Sequence, residues 1–263
     1  MDIAHIITSL HPIILFGLVI VFCILCAEGG AIVAQFRVKK GIKEPDAPLG
    51  TAVGAMLGLL AFMLGFNFSI TASRFADRKE LTIRQANAIG TCYLRTSTIP
   101  EKQKQEIRKY FRQYVDILLG KGYDETRIEE AVKKLDKLHI QIWRQTASLV
   151  QENMDSELRS LFTASVNSVI DIAGERKTVA LVFRIPSMLW TSLFLLAGLS
   201  MFSIGYQTGT FGHRRILDLP LLAAAFALVI VMIANMDSVA EHRFKVSLKP
   251  FSDLEEMMQE EIP

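Results

Sequence analysis

Residues able to do chemistry are scattered through this 263-residue chain rather than gathered. The five histidines, His5, His11, His139, His213 and His242, show none of the spacings that hold a metal. Cys23 and Cys26 have a redox spacing, but they fall inside an apolar run without polar partners and are expected to act as small apolar residues. Cys92 stands alone. No phosphate loop, nucleophile elbow, zinc spacing or pair of acid–base carboxylates occurs, so catalysis is not expected and neither a cofactor nor a metal is implied. Basic residues are interspersed with acidic ones, which argues against nucleic acid as a partner. Two features stand out instead. Glu28, in AEGGA, is a carboxylate at the edge of an apolar run, and glycines alternate with phenylalanines between Gly58 and Ser69. Such residues suit the passage of ions or the packing of helices, not the making and breaking of bonds.

The elements that carry them are membrane helices. Stretches 12–36, 50–73, 186–206 and 217–236 contain only Glu28 and Asp218 as charged residues, whereas 74–183 holds 19 Lys/Arg and 15 Asp/Glu. Each apolar stretch is close to the ~20 residues that a spanning helix needs. The N-terminal flank MDIAHIITSLH has no Lys or Arg, unlike the charged start of a cleaved signal peptide. An all-α membrane protein follows: a first hairpin over 1–73, an extramembrane helical bundle over 74–185, a second hairpin over 186–236 and a tail over 237–263.

The second span meets no Gly or Pro between Ser73 and Gly90, so one helix should leave the membrane and enter the bundle. Thr98-Ile99-Pro100-Glu101 reads as the next helix start, with Ile107, Phe111, Tyr114 and Leu118 at helical spacing and Gly120-Lys121-Gly122 ending it. A third bundle segment is predicted from Asp124, burying Ile128, Val132, Leu135 and Ile142. A fourth, from Asp155, should present Leu158, Phe162, Val169 and Ala173 and run into the third span at Ile185-Pro186.

The second span has two unlike faces. At about 100° per residue, with Gly58 at zero, Phe62 lies near ~40°, Gly65 near ~−20°, Ser69 near ~20° and Phe66 near ~80°. Ala55 and Ala72 share that sector, while Met56, Leu60, Met63, Ile70 and Asn67 lie opposite. Gly50, Gly54 and Gly58 form overlapping small-xxx-small pairs, which would account for this face as close helix packing. The other reading is a pore lined by Gly58, Phe62, Phe66 and Ser69, in which phenylalanine rings from several copies form a constriction that gates by dewetting. The positive edges of those rings suit an anion. Arg74 and Arg78, further along, are candidate charges at the mouth, opposed by Asp77 and Glu80.

The run LGFNFSITASRF, Leu64 to Phe75, resembles the second membrane helix of the bestrophins, followed here by Asp77, Arg78 and Lys79. The segment RQANAIGTCYLRTSTIPEKQKQEIRKYFRQYVD is similar to bacterial bestrophin-like domains of uncharacterised function, and the resemblance covers roughly 50–118. Beyond that, the arrangement of spans and the phrase KVSLKPFSDL are similar. The resemblance implies a pentameric, chiefly chloride-permeable channel whose neck falls on Phe66, Phe62 and Gly58. Glycine at 58 departs from the bulky aliphatic usual there, so the two phenylalanines would carry any constriction. The calcium clasp of animal bestrophins has no clear counterpart in Asp253, Glu255 and Glu256.

Sidedness is read two ways. Loops 37–49 and 207–215 carry six Lys/Arg, which by the positive-inside rule puts the bundle outside the cell. However, Arg74, Arg78, Lys79, Arg84, Arg176, Lys177 and Arg184 gather at the bundle's membrane end. The resemblance implies a cytosolic bundle in a bacterial inner membrane, which is the expectation adopted. Self-association into a ring, with the bilayer and small inorganic anions as partners, competes with two other functions. One is a non-conducting sensor or scaffold acting through the bundle. The other is a proton-driven stator, which wants a buried Asp or a polar Thr/Ser ring in a span and would have Glu28 to use. Asn67 is expected to hydrogen-bond between helices, Asp218 to favour a helix N-terminus, Trp143 to sit in the bundle core, and Trp190 to lie in the interfacial belt.

Overall fold

The computed structural model describes residues 3–42, 46–121, 128–152, 154–181, 185–211, 218–238 and 246–260. Among them there are helices and no strand: α1 (Ile3–Ser9), α2 (Pro12–Lys39), α3 (Asp46–Arg95), α4 (Glu101–Leu118), α5 (Ile128–Ser148), α6 (Ser156–Leu181), α7 (Ser187–Phe211), α8 (Asp218–Asp237) and α9 (Lys249–Gln259). The expected helix start at Asp124, together with Gly122, Arg184, His213, His242 and the side chains of His5 and Ile128, lies outside the described residues. Four helices, α2, α3, α7 and α8, are long and apolar enough to cross a membrane. The chain divides into two compact units, 1–75 with 184–244 and 76–183 with 245–263.

In the first unit α2 packs most extensively against α7, and the reason is a seam of small residues. A Cβ on Gly205 would stand 1.8 Å from the carbonyl oxygen of Ala27, and one on Gly30 would stand 2.0 Å from that of Phe202. Gly209 faces Ala31 and Ala34 in the same way. These backbones approach as closely as they do only because no side chain separates them. Close small-residue packing is thus found between the first and third spans.

Leu15, Val19, Cys23 and Ala27 of α2, Leu193, Ala197 and Met201 of α7, and Ala223, Ala227 and Ile230 of α8 make the core, joined by Leu60 and Leu64 of α3. Trp190 is not at an exposed belt position. It is buried within this core beside Phe194, where its aliphatic neighbours exclude solvent. The N-terminal flank also has structure. It forms α1, whose Ala4 and Ile7 enter the core, and Ser238 Oγ donates to the Thr8 carbonyl at 3.1 Å.

In the second unit the distal part of α3, α4, α5, α6 and α9 bury one apolar side each. The helix of α3 runs past Gly90 to Arg95, and Leu254 of α9 packs over the space that glycine leaves. Ile107, Phe111, Tyr114, Ile142, Phe162 and Val169 are buried at the expected spacing. Gly120 takes a positive φ of 75° just beyond α4, the left-handed geometry that glycine adopts readily after a helix. Asp155 caps α6, its Oδ1 accepting the N–H groups of Glu157 and Leu158 at 2.8 and 3.1 Å.

Two expectations are corrected here. Trp143 is 42% exposed rather than in the core, because it lines an open cleft beside α6 while its neighbour Ile142 is buried. Leu158 is likewise exposed, one turn before the buried Phe162. Within the tail, α9 buries Phe251, Leu254 and Met258 against this core, and Tyr93 Oη donates to the Met258 carbonyl. Cys92 is fully buried beside Ser165, and burial pushes its thiol up to about 12, against the lowering influence of the Ser165 hydroxyl and Arg95.

Candidate functional site

The membrane part of α3 presents two faces set by burial. Val53, Leu60, Leu64, Asn67 and Thr71 are buried against the first unit's own helices. They recur at steps of seven, four, three and four residues, which is one stripe of a 3.6-residue helix. The opposite side carries Gly58, Phe62, Gly65, Phe66 and Ser69, all exposed. Phe62 is 66% and Phe66 48% exposed, and their rings stack on each other with centroids 6.4 Å apart and planes 13° from parallel. One turn of helix separates the two side chains, so they form a single aromatic ledge. No atom lies within 4 Å of a Cβ built on Gly54, Gly58 or Gly65. These glycines make no close contact inside the chain, and they leave the ledge standing above a smooth surface.

The exposed sides of the other spans differ in composition. Ile13, Leu18, Val21 and Leu25 on α2, Leu195 and Leu199 on α7, and Leu221 and Leu228 on α8 are bulky aliphatics, as suits contact with lipid tails. Only the α3 face combines glycine, serine and aromatic rings among these described spans.

Asn67 lies on the buried stripe. Its Nδ2 donates to the Met63 carbonyl at 2.8 Å, so its bond is to the preceding turn of α3 and not to another helix as expected. Its Oδ1 is buried without a hydrogen bond. The two arginines do not share the phenylalanine face: Arg74 and Arg78 fall roughly 160° and 200° round the helix from Gly58. Arg74 instead approaches the buried carboxylate of Asp237 at 3.8 Å. Asp237 also accepts the Ile185 N–H through both oxygens, at 3.0 and 3.3 Å. The end of α8, the start of α7 and α3 are thereby tied together at one level. Sequence reasoning missed this clasp, since 163 residues separate Arg74 from Asp237 and no motif links them. Glu28 is exposed on α2. Among the described residues no three of His, Cys, Asp and Glu come together as a metal site.

Solved structures share the fold of this chain. The structure of a bacterial bestrophin homologue from Klebsiella pneumoniae, in a form carrying one substitution, superposes with a TM-score of 0.65 at 14% identity, covering 95% of this chain and 98% of that one. The same organism's homologue phased with zinc gives 0.65 at 15% identity, covering 94% and 97%. Another mutant form of it gives 0.64 at 14%, covering 94% and 97%. At such identities the likeness concerns the fold. No curated protein matches the sequence. The family model for the bestrophin-like domain matches residues 18–250, which takes in most of the first span, the other three spans, most of the bundle and the beginning of α9, and the chain belongs to the bestrophin-like family.

Proposed function

We propose that this protein is a homo-oligomeric ion channel, most readily pentameric, in which α3 of each copy turns Gly58, Phe62, Phe66 and Ser69 toward a common axis. The observation that carries this is the stacked, exposed Phe62–Phe66 ledge, set opposite the stripe that α3 buries in its own chain. A face of glycine, serine and aromatic rings is a poor match for lipid but a good one for a narrow apolar neck. Rings of phenylalanine at the axis would close the path by excluding water, and their positive edges would favour a small inorganic anion such as chloride. Glycine at 58 widens the level next to Phe62 and leaves the constriction to the two aromatics. Arg74 and Arg78 remain candidate charges at the mouth, Arg74 lying 3.8 Å from the Asp237 carboxylate. The family supports a bacterial inner-membrane location with the bundle in the cytosol.

Anion flux into liposomes tests this. Phe62→Ala and Phe66→Ala are each expected to raise flux several-fold over the wild type. Unchanged flux in both variants, or a monomer or dimer in mild detergent, would refute it. A second reading, a sensor or scaffold that does not conduct, is favoured by one feature of the bundle. A cleft of ≈ 480 Å³ between α5 and α6 is lined by Trp143, Val150, Arg159 and Thr163, with both apolar side chains exposed. A ring-shaped oligomer without flux would support that reading.

A further inference from the structure

One hydrogen-bonded chain crosses the interior of the second unit and touches four of its helices. Arg176 of α6 donates from Nη1 to Gln85 Oε1 of α3 at 2.9 Å. Gln85 Nε2 donates to the Tyr114 hydroxyl of α4, also at 2.9 Å. That hydroxyl lies 2.9 Å from His139 Nε2 of α5, and the two rings pack with centroids 5.1 Å apart. Gln85 and Tyr114 are buried, and His139 is half-buried.

The directions of the first two bonds follow from the guanidinium. A guanidinium only donates, so Gln85 must turn its carbonyl to Arg176 and its amide to Tyr114. The Tyr114 oxygen is then an acceptor, and its own hydrogen is left for His139. Nε2 is the acceptor within reach of that hydrogen, an arrangement that keeps the ring neutral with its proton on Nδ1. A proton added at Nε2 would set a second donor against the Tyr114 hydroxyl and leave that buried hydrogen facing a donor. It would also bring a cation toward Arg176 and Lys177, with Asp136 already paired to Lys177 at 2.9 Å. On the other side Arg176 is covered by the Phe251 ring of α9, 5.2 Å from its guanidinium carbon.

We propose that His139 is an acid-sensitive clasp of the helical bundle: protonation breaks the relay from Arg176 through Gln85 and Tyr114, and α3, α4, α5 and α6 loosen from one another. Burial supports this by holding the imidazole below its ordinary value, with Asp136 opposing and Lys177 reinforcing. Burial likewise raises the Tyr114 phenol, which stays a donor at every relevant pH. The unfolded chain therefore binds this proton at a higher pH than the folded bundle does. The stabilisation is complete above about pH 6.5 and is lost as pH falls toward the folded value. One proton changes the opening equilibrium by at most about tenfold per pH unit.

Amide hydrogen exchange of the full chain in liposomes, corrected for intrinsic rates, tests the clasp between about pH 7.5 and about pH 5.5. Exchange across α4 and α5 is expected to speed up severalfold on acidification. In His139→Gln, whose side-chain carbonyl can still accept from Tyr114 but does not titrate, the acceleration is expected to vanish. No acceleration in the wild type, or the same acceleration in His139→Gln, overturns the proposal. Where that variant does not fold, 15N spectra of the wild-type histidine in contact with Tyr114 decide the matter. The Nδ1–H tautomer is expected at neutral pH, and an Nε2–H tautomer overturns the relay. These readouts concern the bundle alone, so absence of ion flux would leave the clasp standing.

Discussion

Substituting Gly205 by alanine separates the two sets of membrane glycines. A methyl group there would lie 1.8 Å from the Ala27 carbonyl oxygen and 2.5 Å from the carbonyl carbon, both of them backbone. Backbone cannot swing aside as a flexible side chain can, so α2 and α7 must part. Reaching an ordinary contact near ~3.5 Å requires a local separation of roughly 1.5 Å. A gap of even ~0.5–1 Å forfeits about a quarter to a half of each dispersion contact around it, and overpacking of this kind costs ~1–3 kcal/mol. The gain in helix propensity from glycine to alanine, ~1 kcal/mol, offsets part of that. The net expectation is a loss of about 1–2 kcal/mol for Gly205→Ala, against no loss or a small gain for Gly58→Ala, which meets nothing within 4 Å in the chain. Thermal unfolding in detergent, followed by circular dichroism, reads both variants under dissociating conditions that remove any contact between copies. A shift of ~2–4 °C per kcal/mol sets the scale. Equal melting of Gly205→Ala and the wild type would refute the close α2–α7 seam, and strong destabilisation by Gly58→Ala would refute its exposed placement.

Asp237→Ala should lower the melting temperature more than Asp237→Asn does. Alanine strands both the Ile185 N–H and the partly exposed Arg74, a loss of ~2–4 kcal/mol, while asparagine can still accept from Ile185. Equal melting of the two variants would sink the clasp at the end of α8. Cys92 is fully buried, so it should resist a membrane-impermeant maleimide both before and after permeabilisation, until the protein is denatured. A cysteine at exposed Ser97, introduced without Cys92, is the useful reporter of sidedness. With the bundle in the cytosol it should react only after permeabilisation, and labelling in intact cells would place the bundle outside.

Much of the fold was legible because a bilayer imposes length and apolarity on local sequence. Four nearly charge-free stretches announce four spans, and the absence of a breaker between Ser73 and Gly90 announces that α3 continues beyond the membrane segment. Helical spacing likewise placed Ile107, Phe111, Tyr114 and Ile142 in the bundle core. Periodicity says which residues share a face but not what the face meets. Trp143 and Trp190 were assigned from residue type and position and came out reversed in exposure, because the neighbours of an aromatic ring are tertiary facts. The α9 helix escaped notice since its few apolar residues gain burial only from the core that Tyr93 and Phe111 build.

The Phe62–Phe66 face shows the same division. Glycines, Ser69 and two phenylalanines lie on one side of the second span because about 100° per residue is a property of the helix alone. Tertiary packing turns this side away from the chain's own core. It also decided that the tight glycine packing belongs to Gly30 and Gly205, and that Arg74 lies beside Asp237. The physical reason is range. Span length, helix period and chain continuity are fixed by near neighbours. Which surfaces lose solvent, and which charges meet, depends on residues more than a hundred positions apart being brought together.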